Sequence, residues 1–291
     1  MTRIGLGKPA LLVALCALPV FLDVYQAHVV VLIFVFAIVA IGLSLVMGFG
    51  GQVNLAQAAF FGTGAYAAGI LSGPFGWNPW LAAPVAIGLT CLVALVAGVP
   101  ALRIQSHYLG IVSLGLAIAF ASVLTNATIT GGASGLTKIP PLQIPGVDMT
   151  DEYNYYYFAL IVLIAVFAFS TFIASTTLGR RFRAMRDDSL AAGAAGIEIP
   201  VYRMLAFLLA GLLCGVAGVL YAHLIRYVSP ASFGLSAMFR LLPMVILGGQ
   251  DSTWAAVVGP ALPIPSRHLP PRSPPSHRLQ YGTPSLAHLS W

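Results

Sequence analysis

Five of the fourteen Lys and Arg residues of this chain, Arg180, Arg181, Arg183, Arg186 and Arg203, fall in the stretch TLGRRFRAMRDDSLAAGAAGIEIPVYRM, together with three of its eight acids, Asp187, Asp188 and Glu198. Guanidinium groups at this density bind anionic groups, the headgroups of lipids or the carboxylates of a partner; their chemistry is recognition and charge pairing, not bond making. One reading is a topology signal that also touches anionic lipid, each cation contributing about 1 kcal/mol near the surface. The order of the segment favours a second. A basic turn is followed by RDDSLAAGAAGIE and then by Pro200. Asp187, Asp188 and Ser189 are suited to cap and complement a helix N-terminus, and residues 190–196 then form a short helix of small residues. A bare Ala/Gly face flanked by Arg is expected to let a soluble partner approach its backbone.

Three amides, Gln52, Asn54 and Gln57, stand in an otherwise apolar stretch. Polar groups there face protein or water. Asn54 and Gln57, three apart, are expected on nearly one helix face, where they either line a path through the protein or bond between helices; the sequence leaves both open. Gly62, Gly64, Ala65, Ala68 and Gly69 form small-xxx-small pairs, a mark of close helix packing.

Other chemistries lack their residues. The only lysines, Lys8 and Lys138, do not complete G-x-x-x-x-G-K-[ST], so ATP has no site in this chain. No acid or Lys falls in the middle of an expected span, where an ion-coupled carrier keeps its relay. His28 and His223 read as satisfied interfacial histidines near span ends. Cys16, Cys91 and Cys214 are isolated and suggest neither a disulfide framework nor a metal site. No nucleophile is paired with a base, and the chain is not read as an enzyme.

The elements that hold these residues follow from composition. The 291 residues are 59% hydrophobic and only 8% charged, with a mean hydropathy of +0.92, whereas about a quarter of the residues of soluble domains are charged. An ionised side chain at the bilayer centre costs roughly 2.5–3.5 kcal/mol, so charge-free gaps mark membrane spans. Residues 24–102 carry no Asp, Glu, Lys or Arg. At about 20 residues per crossing, the chain is expected to be all-α, a polytopic bundle of about eight spans. These are placed near 10–22, 29–47, 50–71, 81–101, 107–124, 155–175, 204–225 and 236–247, one of them open to being broken or re-entrant. Basic residues stay on the cytoplasmic side. Placing Arg3 and Lys8 inside and alternating along the chain puts Arg103 and the Arg-rich loop 177–203 inside. The loop 125–154, with Lys138 against Asp148, Asp151 and Glu152, is then outside. Arg226 and Arg240 fall on the outer side, against the trend.

The segment GRRFRAMRDDSLAAGAAGIEIPVYRMLAFLLAGLLCGVAGVLYA resembles the cytoplasmic loop and following helix of the permease subunits of branched-chain amino-acid ABC importers, of the LivM type. Within it Leu190, Ala191, Ala192 and Gly196 are similar to a degenerate coupling motif of that family. GFGGQVNLAQAAFFGTGAYAAGIL, TGGASGLT and SPASFGLSAMFRLLPMVILGG resemble further family segments in the family's order. Arg240 and Asp251 depart from the pattern.

The resemblance implies a permease subunit of the bacterial inner membrane, moving branched-chain amino acids or a related small polar solute such as urea or an amide. It implies two cytoplasmic ATP-binding subunits, a homologous permease and an extracytoplasmic solute-binding protein as partners, with no nucleic acid and no cofactor in this chain. Arg180, Arg183, Arg186, Asp187, Asp188, Ala191, Ala192 and Gly196 are the expected coupling residues, and Gln52, Asn54 and Gln57 the expected path residues. A secondary carrier and an inactive truncated permease are the alternatives. Membrane character stops near residue 262, and residues 263–291 are rich in Pro and free of acids. They are expected to form an unstructured tail left by a shifted reading frame that removed the last helices.

Overall fold

The computed structural model describes residues 15, 18–52, 54–101, 106–143, 148–234, 237–239 and 241–243. The described residues form helices joined by turns, with a single isolated β-bridge between Leu136 and Val228. In chain order the helices are α1 (Val24–Ser44), α2 (Gln57–Ser72), α3 (Pro79–Ala101), α4 (Ser106–Asn126), α5 (Glu152–Ser175), α6 (Thr177–Asp187), α7 (Ser189–Ala194) and α8 (Ile199–Ile225). A π-helical turn, Leu45–Phe49, prolongs α1.

Among the described residues five helices are long and apolar enough to cross a membrane: α1 with its π turn, α3, α4, α5 and α8. They divide by burial. In α1 and α8, 72% and 67% of the apolar window is covered by the rest of the chain, against 28% in α3, 28% in α4 and 33% in α5. The first two form the centre of the bundle and the other three its apolar perimeter. Leu81, Leu92 and Val96 of α3, Ile111 of α4 and Ile161 and Phe172 of α5 face outward, as lipid-facing side chains do.

Five of the eight expected spans are found among the described residues, and a sixth is broken at its start. The span expected at 50–71 begins only at Gln57, because residues 50–52 and 54–56 are not helical and α2 is 16 residues long. The reason is local. Gly51 takes φ +64, a conformation that favours glycine, and Gln52 N–H reaches back to Val46 O at 3.1 Å instead of continuing the ladder. Too short to span about 30 Å of hydrocarbon, α2 is instead buried, with Phe60, Phe61, Ala65 and Tyr66 all inside. Of the first expected span, Leu15 and the 3-10 turn Leu18–Phe21 are described; of the last, the helical residues 237–239 and 241–243. The remainder of both, Arg240, Asp251 and the tail at 263–291 lie outside the described residues.

The small residues of α2 and α8 serve packing. A Cβ on Gly64 would stand 2.9 Å from the Gly215 backbone, and one on Gly218 would stand 2.5 Å from Ala65 N. On its other side α8 meets α3, where a Cβ on Gly211 would lie 2.4 Å from Ala94 Cβ. Close backbone approach of this kind is how membrane helices associate in the absence of a hydrophobic drive between them.

Candidate functional site

Helix α6 packs back under the bundle as an amphipathic helix. Gly179, Phe182 and Met185 face inward at spacings of three, and Gly179 allows the close return, since a Cβ there would lie 2.4 Å from Ala174 O. Its arginines then reach three different helices. Arg181 donates to the Tyr202 hydroxyl on α8, its guanidinium carbon 5.4 Å from the centre of that ring. Arg183 donates to Ala174 O at the end of α5 at 3.3 Å, and Arg186 donates to Gly48 O at the end of α1 at 2.6 Å. Arg186 also meets the Asp187 carboxylate at 3.4 Å. Arg180 is exposed. The density of arginine thus has a structural component, because three of them tie α6 to the ends of the helices above it.

The expected short helix is present as α7. Asp188 is its N-cap, its Oδ1 accepting from Leu190 N at 2.9 Å and Ala191 N at 3.0 Å, an arrangement whose removal costs about 0.5–2 kcal/mol. Two paired bonds close its other end, Gly196 N to Gly193 O at 3.0 Å and Ile197 N to Ala192 O at 3.1 Å, with Gly196 at φ +83. This is the glycine-terminated Schellman arrangement. Ala192 is buried, while Leu190 is 86% exposed and Ala191, Gly193 and Ala194 are exposed with it. Gly196 has no atom within 4 Å of a Cβ position, so within this chain glycine answers to the backbone turn and not to a packed neighbour.

The three amides behave differently from one another. Gln57, 1% exposed, donates from Nε2 to Val39 O of α1 at 3.2 Å and accepts from Asn54 Nδ2 at 3.1 Å. Asn54, also 1% exposed, accepts from Ala56 N at 2.9 Å. Both face the protein interior, but the expectation of one helix face is corrected. Asn54 precedes α2 and meets Gln57 through the turn that starts the helix. Gln52 is 2% exposed, and neither its Nε2 nor its Oε1 has a hydrogen-bond partner. A buried unmade bond of this kind costs about 1–3 kcal/mol. It lines a cleft of about 320 Å³ together with Gly50, Gly51, Arg186, Asp187, Asp188 and Arg203, which brings one expected path residue and three expected coupling residues onto the same wall.

At the opposite end of the bundle His28 Nδ1 lies 3.1 Å from Glu152 Oε1. His223 donates from Nδ1 to Pro140 O at 2.8 Å, while its Nε2 is buried without a partner. The Arg186 contact with Gly48, and the role of Gly51 in letting α6 approach, escape a reading of the sequence; the adjacent glycines before Gln52 were the available sign that the helix ends there.

Residues 25–262 match the family described as "Branched-chain amino acid transport system / permease component". The chain is similar to the high-affinity branched-chain amino acid transport system permease protein LivM of Escherichia coli strain K12, at 28% identity over 284 residues, 89% of this chain and 67% of that protein. It is similar to the probable branched-chain amino acid transport permease protein LivM of Methanocaldococcus jannaschii, at 27% identity over 229 residues, 72% of this chain and 65% of that protein. The permease protein LivH of Salmonella typhimurium is 23% identical over 253 residues, 77% of this chain and 78% of that protein. No solved structure matches the chain.

Proposed function

The chain belongs to the branched-chain amino-acid transport permease family and is a multi-pass membrane protein, and on that premise we propose that it is the permease subunit of an ATP-driven importer of the bacterial inner membrane. Its solutes are branched-chain amino acids. Its partners are two cytoplasmic ATP-binding subunits, a homologous permease and an extracytoplasmic solute-binding protein. Similarity to both a LivM and a LivH protein supports a permease pair of related chains.

The observation that carries this reading is α7, a helix capped at both ends yet covered on one side only, presenting Leu190 and Ala191 away from the bundle. So short a helix has no stability of its own. Its caps and its seat on α6 and α8 hold a small-residue surface ready for a partner. ATP is bound by the partner subunits, and α7 is where their movement enters this chain.

Ala191 provides the test. Because it is exposed, Ala191→Trp leaves the chain's own packing untouched, whereas any side chain at Gly196 strains the turn first. Co-expressed with the other subunits of its system, Ala191→Trp is expected to accumulate in the membrane as the parent does while retaining at least tenfold less ATPase on purification. Equal retention would sink the proposal.

A further inference from the structure

We infer that Arg186 is the positioning residue through which displacement of α6 and α7 reaches the broken end of α1, so that it converts partner movement into rearrangement around Gln52. The inference rests on the coupling role proposed for α7.

Arg186 occupies the last turn of α6, directly before the Asp187–Asp188 junction into α7. A shift of α7 must therefore pull on it. The guanidinium is anchored to Gly48 O, inside the π turn and 138 residues away in the chain. Arg181 and Arg183 bridge only 21 and 9 residues, and both bind to well-formed helices or their ends. Arg186 alone among these three grips a segment that is already irregular. Its backbone rides on the turn as well: a Cβ on Gly51 would lie 2.7 Å from Arg186 Cγ and 3.2 Å from its Cα. Only a residue without a side chain lets α6 sit there.

What lies next along the chain gives the contact its consequence. Gln52 is buried with both amide atoms unbonded, and the residue is part of the lining of the cleft that Arg186 and Asp187 share. Asn54 and Gln57, two and five residues further on, have their bonds made, to Ala56, to each other and to Val39 O. The segment is thus held by Arg186 at Gly48 and fixed again from Asn54 onward, where Leu55 N also donates to Ser113 Oγ at 2.9 Å, and the Gln52 amide between them is left without partners. A displacement of Gly48 moves the Gln52 amide relative to groups it does not now reach, while the Gln57 bond to α1 holds the start of α2.

The experiment uses the complete transporter in proteoliposomes, with radiolabelled leucine uptake and ATP hydrolysis measured together. Arg186→Met keeps the stem and loses the donor; Arg186→Lys keeps a donor and the charge. Leucine moved per ATP is expected to fall at least tenfold in R186M with the ATPase still co-purifying, and at least threefold less in R186K. A ratio in R186M within twofold of the parent, or equal losses in the two variants, overturns the inference. A second measurement needs no substitution: amide hydrogen exchange of the parent complex with ADP and with a non-hydrolysable ATP analogue. Residues 50–52 are expected to change together with residues 186–192, and a change confined to the latter overturns the inference. If the parent complex itself takes up no leucine on ATP addition, or does not hold the ATPase, the reading of α7 has failed and not the link through Arg186.

Discussion

At the arginine end of the bundle, Arg186 and Arg183 hold Gly48 O and Ala174 O through single long side chains. At the far end, Leu136 and Val228 exchange two backbone hydrogen bonds of 2.8 and 3.0 Å, and tyrosines reach backbone carbonyls across helices: Tyr155 to Leu220 O at 2.7 Å, Tyr153 to Leu22 O at 3.0 Å and Tyr227 to Ser134 O at 3.0 Å. Aromatic rings fill the space between, with Phe233 about 5–6 Å from Phe61, Tyr66 and Tyr221. A backbone pair moves only if two segments move together. A guanidinium on a flexible stem carries a bond through a change of angle. On the coupling role proposed above, the contrast leads us to expect rigidity at the far end and motion at the arginine end.

The severest challenge to the contrast falls on the far end. Gly135 stands at φ +75, and a Cβ there would lie 2.3 Å from Val228 O and 2.9 Å from Ser229 Cα. Neither contact is a flexible side chain that could give way. Gly135→Ala should therefore cost about 3 kcal/mol or more, combining left-handed backbone strain with overpacking. A large fall in thermal midpoint in detergent is the expected readout. An unchanged midpoint would mean that the Leu136–Val228 bridge is dispensable and that the far end is not the rigid one.

A smaller effect is expected at the arginine end. Asp188→Ala removes the acceptor for Leu190 N and Ala191 N, about 1 kcal/mol of local helix stability. The midpoint of the whole bundle should barely move. Hydrogen exchange of residues 189–195 should accelerate several-fold, and ATPase retention should fall partially. A bundle-wide loss of stability would break the distinction between a mobile end and a fixed one.

How much of this was visible in the sequence depends on the range of the interaction. The N-terminal cap of α7 is local and is legible in the run RDDS, whereas Gly196, expected inside the helix, lies beyond its end at φ +83 and closes it. The long apolar helices were equally plain, because charge-free length is a property of contiguous residues. Which span is the broken one is not legible, because hydropathy does not register the Gly50–Gly51 break; apolar residues in a turn and in a helix score alike. The partners of Arg181, Arg183 and Arg186 were invisible for a further reason. A carbonyl oxygen as acceptor leaves no mark in the sequence, since every residue carries one.

The finest test falls on a single carboxylate of the far end. Asp148, in the far-end turn before α5, accepts hydrogen bonds from the Thr150 hydroxyl and from Thr150 N, the latter at 2.9 Å, and chiefly these bonds hold its carboxyl below the ordinary carboxylate value. A carboxyl lowered in the folded state binds its proton more readily when unfolded. Its contribution is therefore present above the ordinary range and is lost as the pH falls through the lowered folded value, below about 4. The group is fully exposed, so the effect is confined to the turn. With threonine methyl groups labelled for NMR, Thr150 should shift as the pH is taken from 5 to below 4, and Asp148→Asn should remove that response. A Thr150 signal that titrates identically in the Asn variant, or not at all in the parent, would show that the turn before α5 does not depend on this carboxylate.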